Sequence, residues 1–150
     1  MTEEELRQIG KIGGTWEGQY RRMRPDGTLI ETFASTQVSR AEGDVWHEQI
    51  TYQWADGRSK TMDFVARLHP DGTHSYDNDA LLQGRSYLTG VGQVIFPYSW
   101  HDRPGVKVLE VQNYIRADKR TRVWQRFEND ELTEITVIQE TRVSTQDLAR

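Results

Sequence analysis

The sequence predicts an all-β protein: one antiparallel up-and-down β-barrel of about ten strands, preceded by a short N-terminal helix. Three observations predict it. Turn-forming clusters recur along most of the chain, the runs between them alternate apolar with polar residues, and 150 residues suffice for a single domain with its own core. The domain is taken as residues 1–150, with the helix in 1–12 and a polar tail in 144–150.

Thr2 is placed to cap the helix, Glu5 completes a capping box three residues on, and Leu6, Ile9 and Ile12 form an apolar stripe that Gly13-Gly14 ends. Such a helix can lie across one mouth of a barrel. Pro25-Asp26-Gly27, Glu42-Gly43-Asp44, Ala55-Asp56-Gly57, Pro70-Asp71-Gly72, Arg103-Pro104-Gly105, Ala117-Asp118-Lys119 and Asn129-Asp130-Glu131 then mark hairpin turns. They recur roughly every fourteen residues, wider than the ~8–12 of a sandwich, so long strands and tight turns favour the barrel.

Period-two patterning is clearest where Trp46, Ile50, Tyr52 and Trp54 alternate with His47, Gln49, Thr51 and Gln53, and where Met62, Phe64, Ala66 and Leu68 follow. Leu109, Val111 and Ile115, then Val123 and Phe127, then Ile135 and Val137 are read as the inward face of later strands. For the last strand a second face competes, made of Thr136, Ile138, Glu140 and Arg142. Residues 77 to 93 break the rhythm, and Gly84, Gly90 and Gly92 there suit a barrel corner.

Cysteine is absent, which excludes disulfides, thiolate metal sites and a Cys nucleophile. The acidic start, Thr2-Glu3-Glu4-Glu5, is unlike a signal peptide, and no apolar run has the length of a membrane span, so a cytoplasmic protein without membrane contact is expected. A net charge of −4 argues against nucleic acid as partner, although Tyr20 to Arg24 and Arg116 to Arg126 interleave rings with cations. Pairing into a homodimer is left open.

Only 35% of residues are hydrophobic, yet five are Trp, six Tyr and four Phe. A barrel lined by rings and partly open inside accounts for that balance.

Within it, Glu48 falls in phase with Trp46, Ile50, Tyr52 and Trp54, where a carboxylate needs a partner or a raised pKa, the condition of a general acid; an outward turn at a bulge is the even alternative. Arg22 follows Trp16, Gly18 and Tyr20 in phase and is the leading candidate to hold an anion in the cup. Arg120, Arg122 and Arg126 share a face with Trp124; facing inward they could clamp carboxylates on a ligand, but the apolar opposite face favours turning that stripe to solvent. His69 and His74 straddle a turn without a third ligand, so the histidines read as surface residues and no metal is expected. No cofactor is expected either, and no histidine follows His101 to hold a haem from the C-terminal strands.

The stretch Gly14-Thr15-Trp16-Glu17-Gly18-Gln19-Tyr20, with Pro25-Asp26-Gly27, Tyr52-Gln53-Trp54-Ala55-Asp56-Gly57-Arg58 and Glu140-Thr141-Arg142, resembles a lipocalin-like family of unknown function from photosynthetic and other bacteria. That family is similar to the S-type phycobilin lyases, which also end in Glu-x-Arg. The resemblance implies a calycin barrel whose floor is plugged by Trp16 with Arg142 packed across it, Glu140 orienting an arginine or anchoring ligand. Gly92 to Trp100, with Arg103-Pro104 and Gln112-Asn113, resembles more weakly the central strands of phenolic acid decarboxylase barrels, without that family's early Tyr/Glu/Arg pattern.

The expected function is binding of a small, largely apolar or aromatic ligand bearing an anionic group, lined by Tyr20, Arg22, Trp46, Tyr52, Phe64 and Tyr76 together with Glu48 and Glu140. The alternative is a lyase, isomerase or cyclase acting on a natural product or pigment, with Glu48 or Glu140 as acid or base. A filled barrel serving only as an interaction scaffold is a third reading.

Overall fold

The computed structural model describes residues 1–146. Its helix is α1 (Glu3–Ile9), and its strands are β1 (Gly14–Met23), β2 (Leu29–Glu42), β3 (Val45–Gln53), β4 (Ser59–Leu68), β5 (His74–Ser75), β6 (Leu82–Gly84), β7 (Tyr87–Leu88), β8 (Gln93–Trp100), β9 (Val106–Arg116), β10 (Lys119–Glu128) and β11 (Glu131–Thr145). Strand order is β5-β4-β3-β2-β1-β11-β10-β9-β8-β6, every pairing is antiparallel, and β7 pairs with β8. The first and last long strands join the two halves. The Tyr76 N–H to the Gly84 carbonyl (2.8 Å) and the Ser86 N–H to the His74 carbonyl (2.9 Å) nearly close the ring between β5 and β6. This is the up-and-down barrel the turn spacing predicts.

The capping box forms as read: the Glu5 N–H donates to Thr2 Oγ1, and the Thr2 N–H donates to Glu5 Oε2. Leu6 and Ile9 are buried. The helix end sits on the turn between β4 and β5 so closely that a Cβ on Gly72 would meet the Arg7 carbonyl at 2.2 Å; its φ of 80° also requires glycine. That contact holds α1 across one end of the barrel. β11 continues through Thr145, pairing Ser144 with Thr15, so the chain is still strand where a tail was expected, and 147–150 of that tail lie outside the described residues.

The inward phase is as read in β1, β3 and β4, where Trp16, Tyr20, Trp46, Ile50, Tyr52, Phe64 and Ala66 are buried. In β9 and β10 it is reversed. Val106, Val108, Glu110, Arg120 and Arg122 are buried, while Leu109, Val111, Val123 and Phe127 are only half-buried and Ile115 is exposed. In β11 the competing face wins, with Thr136, Ile138 and Glu140 buried. Val123 lies beside Val111 on one side and Val137 on the other, so the apolar stripe packs across strands on the outer surface. The expectation of outward Arg120 and Arg122 is therefore corrected: carboxylates on neighbouring strands let them turn inward.

Candidate functional site

Tyr20 and Ile138, neighbours on β1 and β11, are fully buried at mid-barrel. Tyr20 packs edge-on against Tyr52 (5.3 Å between centroids) and Trp124 (5.4 Å). Tyr52, Tyr98 and Trp124 border both a cavity of about 110 Å³ on the α1 side and one of about 200 Å³ on the other. This aromatic layer divides the interior into two compartments.

The first compartment lies between α1 and that layer. Its apolar wall includes Leu6, Ile9, Trp46, Ile50, Phe64 and Phe96, and its polar wall holds Glu48, Glu110, Arg120, Arg122 and Arg142. Four of those polar groups owe their placement to alternation: β10 sends every second side chain inward, as do β9 and β11 beside it.

A buried ionic network backs the polar wall. Glu140 Oε1 accepts from Arg120 Nε (2.8 Å) and Arg122 Nε (2.7 Å), and Oε2 accepts from Arg122 Nη2 (3.1 Å). Arg122 Nη1 donates to Glu110 (2.7 Å) and Nη2 to Tyr20 Oη (2.7 Å). Trp124 Nε1 and Gln112 Nε2 also donate to Glu110, and Arg120 reaches Tyr114 Oη (3.0 Å) and Gln37 (3.3 Å). Two guanidiniums thus meet two carboxylates. Burial opposes ionisation of Glu140, but the two arginines outweigh it and bring its pKa down to about 2. Burial would likewise lower Arg122; Glu140, Tyr20 and Glu110 together more than offset it and the guanidinium stays charged.

Glu48 is held differently. Its Oε1 accepts from Trp46 Nε1 (2.6 Å) and Tyr76 Oη (2.7 Å), and no cation lies within 4 Å of it among the described residues. Burial first, and then the Glu48 charge, push the Tyr76 phenol well up, so it stays a donor. His74 stacks on Trp46 at 4.4 Å and its Nε2 is 2.8 Å from the Gly10 carbonyl, which fixes Nε2 as the protonated nitrogen. Burial lowers its pKa, favouring the neutral ring. His74 is not the surface residue expected from sequence.

At the compartment's end, Trp16 lies beneath two cations: the guanidinium carbon of Arg120 is 4.1 Å and that of Arg142 5.1 Å from its ring centre. Arg142 Nη2 donates to the Ala117 carbonyl, while its Nη1 is buried without a partner.

Of the residues singled out from sequence, the structure gathers Trp46, Glu48, Tyr52, Phe64 and Tyr76 with Trp16 and Arg142 around this compartment. Tyr20 and Glu140 stand behind its lining. Arg22 does not belong to it: it borders the second compartment, held by Glu134 (2.9 Å from Nε) and Glu31 (2.6 Å from Nη1). The Glu134 hydrogen bond is the main cause of its raised pKa. Sequence reasoning passed over Glu110, Tyr114 and Gln37, and it turned Arg120, Arg122 and His74 to the surface. The phase of Val106 and Val108 leads directly to Glu110, a signal available in the sequence.

Among the described residues there is no group of three His, Cys, Asp or Glu side chains placed to hold a metal, and no helix long and apolar enough to cross a membrane. A protein of unknown function from the DUF3598 family of Nostoc punctiforme matches this fold with a TM-score of 0.73 at 20% identity, over 91% of this chain and 49% of that one. This chain thus spans about half of that protein's length. The S-type phycobiliprotein lyase CpeS from Guillardia theta matches with a TM-score of 0.61 at 13% identity, over 98% of this chain and 94% of its own. No curated protein matches in sequence. The family model described as "Domain of unknown function (DUF3598), N-terminal" matches residues 2–145, and the chain therefore belongs to the DUF3598 family.

Proposed function

We propose that the first compartment binds a small, largely aromatic molecule and that Arg142 receives its anionic group. One observation carries this reading. Arg22, Arg120 and Arg122 each have a carboxylate partner, whereas Arg142 has none within 4 Å among the described residues and keeps a buried, unpartnered Nη1. An unsatisfied buried donor costs about 1–3 kcal/mol, which a ligand carboxylate recovers. The ring-lined wall supplies the apolar contact. Arg22, already bound by two carboxylates, is a poor anion receptor for this compartment.

The test is quenching of Trp fluorescence by 2-naphthoate against its neutral isostere 2-naphthamide. Arg142→Gln is expected to weaken the naphthoate at least about tenfold, the loss of ~1.5 kcal/mol or more, and to leave the amide nearly unchanged. Equal weakening of both probes rejects the anion role.

A second reading is favoured by Glu48, a cavity carboxylate fixed by Trp46 and Tyr76 with one oxygen uncommitted by them. In an enzyme of this fold it is the candidate acid or base. The shared fold with a phycobiliprotein lyase makes lyase chemistry worth testing: Glu48→Gln should retain probe binding and abolish turnover of any substrate found.

A further inference from the structure

We propose that the second compartment is a separate binding site for a flat aromatic molecule carrying two acidic groups. This goes beyond the reading of the first compartment and uses different residues.

The compartment, about 200 Å³, opens at the barrel end away from α1 and is walled by the rings of Phe33, Tyr52, Trp54, Tyr98, Trp100 and Trp124. Phe33 packs against both Tyr20 and Trp54, 4.9 Å from each ring centre, and the Arg58 guanidinium lies 5.1 Å from the Trp54 ring centre, so this wall is a continuous packed aromatic surface. Two donors on this lining have no hydrogen-bond partner although both are buried: Trp54 Nε1 and Arg126 Nε. Buried donors of this kind are rare in folded proteins and call for an acceptor. They stand on different walls, Trp54 following β3 and Arg126 within β10, with β2, β1 and β11 between those strands. A ligand satisfying both therefore carries acceptors at two ends.

Charge specifies the acceptors as acidic. Arg22, Lys60, Arg103 and Arg126 border the compartment against only Glu31 and Glu134, an excess of two positive charges. Glu31 and Glu134 are both spent on Arg22, and Arg126 meets only the exposed Glu128, at 3.3 Å through Nη2. Arg103 lies over the Trp100 ring, 5.7 Å from its centre, with no carboxylate of its own among the described residues. Two acidic groups on an aromatic body complete the donors and the charge together.

The probe is 2,6-naphthalenedicarboxylate, compared with its neutral diamide. In ¹H–¹⁵N spectra of the wild-type protein the Trp54 indole signal, assigned from its nuclear Overhauser contacts within the wild-type protein, should move downfield as the dicarboxylate saturates. Trp54→Phe and Arg126→Gln should each weaken the dicarboxylate at least fivefold and the diamide less than twofold. A Trp54 signal that stays put at saturation overturns the proposal, and this readout does not depend on either variant folding. Unchanged dicarboxylate affinity in both variants overturns it as well. Failure of the Arg142 experiment leaves these outcomes untouched, because neither Trp54 nor Arg126 borders the first compartment.

Discussion

The guanidinium carbon of Arg120 lies 4.1 Å from the centre of the Trp16 ring, nearer than that of Arg142 at 5.1 Å. The barrel's plug thus has a third member, from the strand before the last. Arg120 is also tied to Glu140, Tyr114 and Gln37, whereas Arg142 is half-exposed. Trp16→Ala is expected to cost about 3–5 kcal/mol as a large-to-small core change. Arg142→Ala should cost about 1 kcal/mol, in line with a partly exposed cation–π contact. Arg120→Ala should fall between them, because Glu140 keeps Arg122. Urea denaturation ranks the three, and equal costs for the two arginines would refute the assignment.

Glu140 makes stability pH-dependent in a window set by its own shift. Its pKa falls from an ordinary 4.5 to about 2 in the folded protein. Between those values the unfolded chain binds the proton and the native one does not. The stabilisation is therefore complete above about pH 4.5 and is lost as pH falls toward 2, about 3 kcal/mol in all. Denaturation midpoints measured from pH 6 to 2 should show this decline. In Glu140→Gln, which leaves two buried guanidiniums short of a counter-charge, the protein should be weaker by about 3–5 kcal/mol and the decline shallower.

Gly18 faces Glu140 across β1 and β11, and a Cβ there would lie 2.9 Å from Glu140 Cγ and 2.7 Å from Ser35 Oγ. Gly18→Ala must displace the carboxylate that holds both arginines. A loss of about 1–3 kcal/mol is expected, typical of overpacking a tight interior. Thermal unfolding checks it, and a neutral effect would show that the network yields without cost.

What was legible in the sequence follows from where each signal originates. The turns and the capping box are local, so Pro25-Asp26-Gly27 or Thr2 with Glu5 could be read one by one. The phase of β1 was legible because Trp16, Gly18 and Tyr20 run unbroken. Arg120 and Arg122 were misread because their direction depends on register with β11. Counting back from the Asn129-Asp130 turn places Lys119 opposite Glu140; a bulge between Arg126 and Phe127 moves Arg120 there instead. One residue of slip turns every side chain of a strand to the other face. Nothing in the composition of β10 announces that bulge, and with Val123 and Phe127 apolar the outward reading followed. Arg22 was legible in phase but not in partners, since Glu31 and Glu134 reach it from β2 and β11.

His74 should titrate below 6.5, the ordinary histidine value, because burial disfavours its charged form. The sign follows: below that value the unfolded chain takes up a proton that the native ring resists, so this contribution is lost as pH falls. In NMR titration the His74 ring signals should move only at lower pH than those of a histidine peptide. A His74 that titrates at or above 6.5 would mean the ring has swung away from Trp46 and the Gly10 carbonyl.

The contact between Glu48 and Tyr76 separates a structural carboxylate from a working one. Glu48 Oε1 takes hydrogen bonds from both Trp46 and Tyr76, so Glu48→Ala leaves two buried donors without an acceptor. Each costs about 1–3 kcal/mol, and a clear loss of stability is expected. Glu48→Gln keeps a carbonyl oxygen where both donors point and should fold with a loss below ~1 kcal/mol. Tyr76→Phe removes one donor, and its coupling to Glu48→Gln in a double-mutant cycle measures how much of that bond depends on charge. Coupling of ~1 kcal/mol or more, read from urea midpoints, shows that Tyr76 holds the carboxylate more strongly than it holds an amide, as expected of a carboxylate kept in place for a bound molecule. Coupling near zero shows that an amide serves Tyr76 and Trp46 equally well, and Glu48 is then a structural acceptor for those two donors rather than a group working on the ligand.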